Sequence, residues 1–462
     1  MKSAALLSAV AAATAVHASP AAPKPRATEL EPITVTGNAF FKGKERFYVR
    51  GIDYQPGGAS ANLDPLADPK ICLQDIKKFK DLGVNVIRVY STDNSKDHDE
   101  CMNALADAGI YAVLDANNPL YSINREDPHG SYNTPYLQSV FATIDAFAKY
   151  SNTMAFFSGN EVVHDLANTT RAARYVKATD RDMRAYIKAR NYRKILVGYS
   201  AADVTTNYLQ TAAYFNCGTD EERSDFFAFN DYSWCASNFE TAGWGKKVEA
   251  FKDYGLPIFL SEYGCITNER DFSELSALMS DKMTHVYSGG LMYEYSMEPN
   301  KFGIVEIEGG QEKGGVDQTG KRKELNGFAA FKSALAKYPA PTGDGGFTQS
   351  TKSQACPTAD EHWEVTVTTL PQMPEGAQKF FKNGAGPGPG LKGDGSQWAV
   401  DQASPSDDTG KGDGSGSGTE DGASTATSSN AAMRGTMPAF DSAPFVISGL
   451  VAFFTLVGAV AL

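Results

Sequence analysis

Eight short apolar runs alternate with helical stretches between residues 30 and 340, an order that predicts an α/β chain built on a (β/α)8 TIM barrel. The runs span 47–55, 84–90, 111–117, 154–161, 195–200, 226–232, 257–264 and 290–296. Most are continuously apolar rather than alternating, as strands buried on both faces are. Helical patterns fill 75–82, 101–108, 135–150, 171–190 and 244–254. A strand pair at 33–36 and 39–41, turning on Gly37-Asn38, precedes the first run and is placed to plug the bottom of the barrel. An open doubly wound sheet is the alternative, but no glycine-rich dinucleotide fingerprint follows the first run.

The chain has 462 residues, 42% hydrophobic and 21% charged, which excludes a wholly disordered protein. Its net charge is −12, from 43 Lys and Arg against 55 Asp and Glu. Such a surface repels phosphate backbones, so nucleic acid is not expected as a partner. At the N-terminus, Met1-Lys2, an apolar stretch 4–16 and Val16-His17-Ala18 have the order of a secretory signal peptide, residues 1–18. Pro20, Pro23 and Pro25 follow at once and would break a buried helix. At the C-terminus, small residues Asn430-Ala431-Ala432, a spacer 433–444 and an uncharged tail 445–462 spell a glycosylphosphatidylinositol (GPI) signal. The expected lipid site is Asn430, with Ser428 and Ser429 as alternatives, and 431–462 is the propeptide. A lasting tail anchor would conflict with the topology that the signal peptide sets.

Composition changes from about residue 338. The barrel domain is expected over 28–345, a post-barrel segment over 346–383, and a disordered Gly/Ser/Asp-rich stalk over 384–430. Trp398 inside that stalk has no role in this reading. Asn168-Thr169-Thr170 is a glycosylation sequon.

Six cysteines in a secreted chain allow fifteen pairings. Barrel topology narrows them. Cys72 and Cys101 open neighbouring helices at the same rim, and Cys235 and Cys265 follow the sixth and seventh strands, also neighbours. Both pairs meet the Cα limit of about 7 Å. Cys217 and Cys356 remain, and their bridge would tie 346–383 back to the barrel.

Chemistry in such a barrel belongs at the C-terminal ends of its strands. The fourth strand ends in Asn160-Glu161 and the seventh in Ser261-Glu262-Tyr263. Two carboxylates facing each other across a barrel mouth are what glycoside cleavage needs, at about 5–5.5 Å for a retaining enzyme. Glu161 is assigned as the acid/base, with a pKa raised by its neighbours. Glu262 is assigned as the nucleophile, kept ionised by nearby tyrosine donors, and Asn160 as the partner of a sugar 2-hydroxyl. The rim aromatics Tyr54, Tyr90, Tyr232, Tyr293 and Tyr295 suit stacking on pyranose faces.

Other chemistries score poorly. His98, His129, His164, His285 and His362 are scattered without metal-ligand spacing, and neither metal nor organic cofactor is expected. No GxSxG elbow opens a helix. Residues 315–321 fit most of a phosphate-loop pattern, but Arg322 replaces its Ser/Thr and the stretch follows the eighth strand.

The chain resembles the fungal GPI-anchored β-1,3-glucanosyltransferases, glycoside hydrolase family seventy-two. The likeness rests on Arg50-Gly51-Ile52-Asp53-Tyr54-Gln55-Pro56, Asn85-Val86-Ile87-Arg88-Val89-Tyr90, Gly159-Asn160-Glu161, Tyr232-Ser233-Trp234-Cys235, Ser261-Glu262-Tyr263-Gly264-Cys265 and Gly290-Leu291-Met292-Tyr293-Glu294-Tyr295. It implies a retaining double displacement on β-1,3-glucan donor and acceptor chains, with elongated glucan as product. It also implies that Gln55, Tyr90, Asp115, Asn160, Tyr232 and Tyr295 line sugar sites. The cysteine pairing above looks like that family's pattern. With only Cys356 after the barrel, the chain resembles the shorter subgroup, which lacks a cysteine-rich glucan-binding domain. The expected setting is a monomer on the outer face of the plasma membrane or in the cell wall. A plain β-glucan hydrolase and an inactive wall-binding protein are the competing readings, and intact Glu161 and Glu262 speak against the second.

Overall fold

The structure, a computed structural model, describes residues 28–58, 62–310 and 317–405. The chain divides into two units, Met1–Asp407 and Asp408–Leu462, and every described residue belongs to the first. The expected signal peptide 1–18, the remainder of the expected stalk 406–430 with its expected lipid site Asn430, and the expected propeptide 431–462 lie outside the described residues.

Three strands come first: β1 (Ile33–Thr36), β2 (Ala39–Lys42) and β3 (Glu45–Phe47) form an antiparallel sheet. Gly37, in the turn between β1 and β2, has φ 58°, a conformation glycine adopts without penalty. Eight parallel strands then close a barrel. They are β4 (Val49–Asp53), β5 (Val86–Val89), β6 (Tyr111–Asp115), β7 (Thr153–Asn160), β8 (Leu196–Ala202), β9 (Phe226–Asp231), β10 (Ile258–Tyr263) and β11 (Tyr287–Met292). Each pairs with its sequence neighbour, and β11 pairs with β4 to close the ring. Nearly every residue of these strands is buried, which explains why the sequence shows continuous apolar runs.

Helices fill the outer ring. The first, α1 (Pro69–Leu82), starts six residues before its apolar pattern, because Asp68 caps Lys70 N and Pro69 takes the first helical position. It is followed by α2 (Asp99–Asp107), the short α3 (Pro128–Ser131), α4 (Thr134–Phe147), α5 (Ala173–Ala189), α6 (Tyr208–Phe215), α7 (Trp244–Phe251) and α8 (Leu275–Leu278). The helix α8, of 4 residues, is too short for periodicity to announce it. A hairpin of β12 (Val305–Ile307) and β13 (Arg322–Glu324) precedes α9 (Asn326–Lys337), and α10 (Glu375–Asn383) lies in the post-barrel segment. No helix among the described residues is long and apolar enough to cross a membrane.

Two cores result. One lies between the barrel and its helices. The other fills the barrel, and the N-terminal sheet caps it from below as expected. Phe40 of β2 meets Phe226 and Phe259 edge-on, with ring centroids 6.1 and 5.8 Å apart. Phe157 stands 5.5 Å from Phe226 in the same cluster. The disulfides join Cys72–Cys101, Cys217–Cys356 and Cys235–Cys265, with Cα separations of 5.9, 5.0 and 5.2 Å.

The stalk boundary needs correction. Residues 384–405 are not a free spacer but a strap laid on the barrel's outside. Ala385 N donates to Asp145, Gly390 N to Asn94 Oδ1 at 2.9 Å, and Ser396 N to Leu120 O at 3.0 Å. A segment poor in apolar side chains still has a backbone, and here the barrel satisfies its N–H and C=O groups. A Cβ at Gly388 would stand 2.2 Å from Asn94 Oδ1, and one at Gly393 would stand 2.2 Å from the Tyr121 hydroxyl. The glycines are therefore what lets the strap lie this close.

Phe40→Ala should cost about 3–5 kcal/mol, because it empties a buried site against the Phe226 and Phe259 rings. A urea-unfolding midpoint equal to that of the unmodified protein would show that the plug is not part of the barrel core.

Candidate active site

The strand ends converge on one buried cation. Arg88, near the end of β5, is fully buried, and its neighbours Ile87 and Val89 are buried too. A guanidinium there must be paired. Asp115, at the end of β6, accepts from Arg88 Nε at 2.9 Å and from Nη2 at 3.1 Å. The remaining donors reach other strands. Nη2 donates to Asn160 Oδ1 of β7 at 3.0 Å, and Nη1 donates to Glu262 Oε1 of β10 at 3.3 Å. The guanidinium lies over the Tyr90 ring at 4.2 Å and over the Phe157 ring at 4.5 Å.

Glu262 is 7% exposed and three side chains hold it. Besides Arg88, the Tyr90 hydroxyl donates to Oε1 at 2.8 Å and the Tyr232 hydroxyl to Oε2 at 2.5 Å. These donors favour the ionised form, as expected. Burial, which disfavours it, is the larger effect, and the Glu161 charge adds to burial. The net result pushes the Glu262 carboxyl up to about 7. The tyrosine donors thus act in the expected direction, and burial outweighs them.

Glu161 follows β7 directly. Its φ is 49°, a left-handed conformation that a side chain with a Cβ rarely adopts. Two bonds hold it there: Glu161 N donates to Ser200 O at 2.9 Å, and Arg125 Nη2 donates to Glu161 O at 2.6 Å. Asn230 Nδ2, from β9, donates to Glu161 Oε1 at 2.9 Å and to Asn160 Oδ1 at 3.1 Å. Asn160 Oδ1 also accepts from the Ser200 hydroxyl at 2.8 Å. Among the described residues its side-chain bonds thus all fall on the carbonyl oxygen, which leaves the Asn160 amide N–H groups for a ligand. Tyr293 crosses Tyr90, Tyr232 and Phe302 at right angles or nearly so, forming the aromatic wall.

Several expected ligand contacts are corrected. Tyr54 and Tyr295 do not face the mouth. Both are fully buried behind the sheet, where their hydroxyls donate to Asp75 of α1 at 2.7 and 2.6 Å. Arg322 Nε and Nη2 close on the same carboxylate at 2.6 and 2.7 Å. The residue that breaks the phosphate-loop pattern is thus one half of a buried ion pair. Gln55 is buried as well, and its Oε1 accepts from Tyr90 N and Ser91 N at 3.1 and 2.9 Å. It sets the backbone beside Tyr90 rather than meeting a ligand. Asp115 is occupied by Arg88. Tyr90, Asn160, Tyr232, Tyr293 and both glutamates do come together. Arg88 itself received no role from the sequence, although a charge inside an apolar run was the available signal. The sequence reading also missed Asn230, Asp53 and Glu294. Burial, with Glu262 adding to it and Arg88 opposing, holds the Asp53 carboxyl well above the usual range. Burial pushes Glu294 up to about 8.

These raised carboxyls couple stability to pH. Glu262 releases its proton near 4.5 when unfolded and near 7 when folded. Between those values the folded state holds a proton that the unfolded state has lost, so stability is full below about 4.5 and falls as pH rises through 7. The melting temperature should therefore drop between pH 4.5 and pH 8. Glu262→Gln should recover part of that drop, on the order of 3 kcal/mol at pH 8 and little at pH 4.5. An identical pH dependence in the variant would show that Glu262 does not carry this penalty. Asp75→Ala should cost about 3–5 kcal/mol in denaturant unfolding, because it leaves Arg322 buried and unpaired.

The sequence profile of the glucanosyltransferase family, glycoside hydrolase family 72, matches residues 24–328. The chain is 59% identical over 391 residues to the 1,3-beta-glucanosyltransferase gel1 of Aspergillus fumigatus, covering 84% of each chain. It is 48% identical over 385 residues to the 1,3-beta-glucanosyltransferase gas4 of Schizosaccharomyces pombe, covering 80% of this chain and 81% of that one. Among solved structures it matches a glutamate-to-glutamine mutant of Saccharomyces cerevisiae Gas2p in complex with laminaritetraose and laminaripentaose. That match has a TM-score of 0.67 and 37% identity, and it covers 75% of this chain and 76% of that one. With its closed barrel, its paired strand-end glutamates and these relatives, the chain belongs to the glucanosyltransferase family, glycoside hydrolase family 72.

Proposed function

We propose that this protein is a β-1,3-glucanosyltransferase. It cleaves an internal linkage of one β-1,3-glucan and transfers the new reducing end to the non-reducing end of another, elongating cell-wall glucan. The observation that carries this reading is the shared hydrogen-bond lattice of the two glutamates. Arg88 bonds Glu262 and Asn160, and Asn230 bonds Asn160 and Glu161. The lattice fixes both carboxylates against one barrel, as a double displacement requires.

In the first step Glu262 attacks the anomeric carbon while Glu161 gives its proton to the departing glycosidic oxygen. Tyr90, Tyr232 and Arg88 orient the attacking carboxylate. The burial that disfavours the Glu262 anion does not penalise the uncharged ester that replaces it. Asn160 Nδ2 is free to bond the sugar 2-hydroxyl, a contact that strengthens in the transition state. In the second step Glu161, now ionised, takes the proton from the acceptor's 3-hydroxyl, which attacks the ester carbon and frees Glu262. The wall of Tyr232, Tyr293 and Phe302 favours a sugar over water at that position.

The family setting makes the protein a secreted or cell-wall one. More finely, we place it as a monomer on the outer leaflet through a GPI lipid at Asn430, after removal of 1–18. We place a glycan on Asn168, which is exposed in the turn Ala167–Ala172.

Incubation of the secreted protein with a reduced laminari-oligosaccharide should yield products longer than the substrate, sized by chromatography over time. Only shorter products would make it a hydrolase. Glu161→Gln and Glu262→Gln should each lower turnover by about 10²–10⁴ or more with the fold retained by circular dichroism. Near-wild-type turnover in either variant would overturn the assignment.

A further inference from the structure

The strap 384–405 climbs the barrel along α4. At the C-terminal end of that helix, Ala385 N donates to Asp145 at 3.1 Å. Beside its N-terminal end, Asn133 Nδ2 donates to Ser396 O at 2.8 Å. In a (β/α)8 barrel the helix N-termini share a rim with the strand C-termini, which is the catalytic rim. The strap therefore delivers the residues after Ser396 to that rim. They land on the loop between β6 and α4, because Ser396 N and Gln397 Nε2 donate to Leu120 O and Ser122 O at 3.0 and 2.9 Å. The same loop carries Arg125, which holds the Glu161 carbonyl.

Trp398 stands at this point. The chain has 4 tryptophans. Trp234, Trp244 and Trp363 are 9%, 1% and 0% exposed, whereas Trp398 is 58% exposed. Its Nε1 donates to Gly395 O at 2.8 Å. The indole is thus tethered by its polar edge, and more than half of the residue's surface is open to solvent. A ring held in this way loses little conformational entropy on contact. What suits it is an uncharged ligand with an apolar face and no need of a donor, such as the C–H face of a pyranose.

We propose that Trp398 is a stacking platform for β-1,3-glucan, taking the chain where it passes over the rim beyond the cleft. This rests on the glucan reading of the active site. The platform discriminates long chains from short ones, because only a chain that overruns the cleft reaches it. The strap's glycines belong to the device, since they set the height at which the ring is held.

Acrylamide quenching of the whole protein's fluorescence reads Trp398, because the other tryptophans are buried. Long laminarin should protect the fluorescence, and laminaritetraose should not. Trp398→Ala should raise KM for long laminarin roughly five- to tenfold and leave kcat unchanged. It should also leave KM unchanged for the shortest oligosaccharide that the protein elongates. Trp398→Tyr should restore most of the loss. Quenching that laminarin does not alter, or an unchanged KM for long chains in Trp398→Ala, overturns the platform and leaves the transferase reading standing. A wild-type protein that neither elongates nor binds laminarin overturns both.

Discussion

The active site depends on the burial of Arg88. A guanidinium inside a barrel costs several kcal/mol unless its donors are matched. Asp115 neutralises it, and the remaining N–H groups can then be satisfied only by Asn160, Glu262 and the Ser261 carbonyl. One side chain on β5 therefore ties together β6, β7 and β10. Closing the barrel and aligning the two glutamates become the same event. The aromatic rings of Tyr90 and Phe157 on its faces keep water from competing for those donors.

A second buried ion pair does comparable work outside the barrel. Asp75 and Arg322, with Tyr54 and Tyr295, join α1 to the ends of β4 and β11 and to the β12–β13 hairpin. Adjacent residues divide the labour. Asp53 and Glu294 fall among the catalytic charges, while the next residues, Tyr54 and Tyr295, bond Asp75 of α1. The tyrosine pair fixes the backbone, and the carboxyl pair contributes to the field around Glu262.

Much of this was legible in the sequence, and the failures have specific causes. Continuous apolar runs identified the barrel because parallel strands are buried on both faces. Two cysteine pairs followed from adjacency in the ring, and Cys217 with Cys356 was the pair that remained. Glu161 and Glu262 stood out as carboxylates at strand ends. Tyr54 and Tyr295 were misplaced because residue type at a strand end does not say which face a side chain takes: Tyr293 joins the aromatic wall, whereas Tyr295 bonds Asp75 behind the sheet. Residues 384–405 were misread because composition measures side-chain burial, whereas this strap is held through its backbone.

The sequence by itself determined the order of strands and helices, the disulfide framework and the chemical types available at the barrel mouth, because periodicity and spacing are local properties. Only the tertiary structure decided which partners each charge found, since those partners come from strands far apart in the chain. It paired Arg88 with Asp115 and Arg322 with Asp75, and it lifted Glu262 to about 7 through burial that no local pattern encodes. It also carried Trp398 to the catalytic rim, along a strap whose path depends on where the barrel offers free carbonyls and N–H groups.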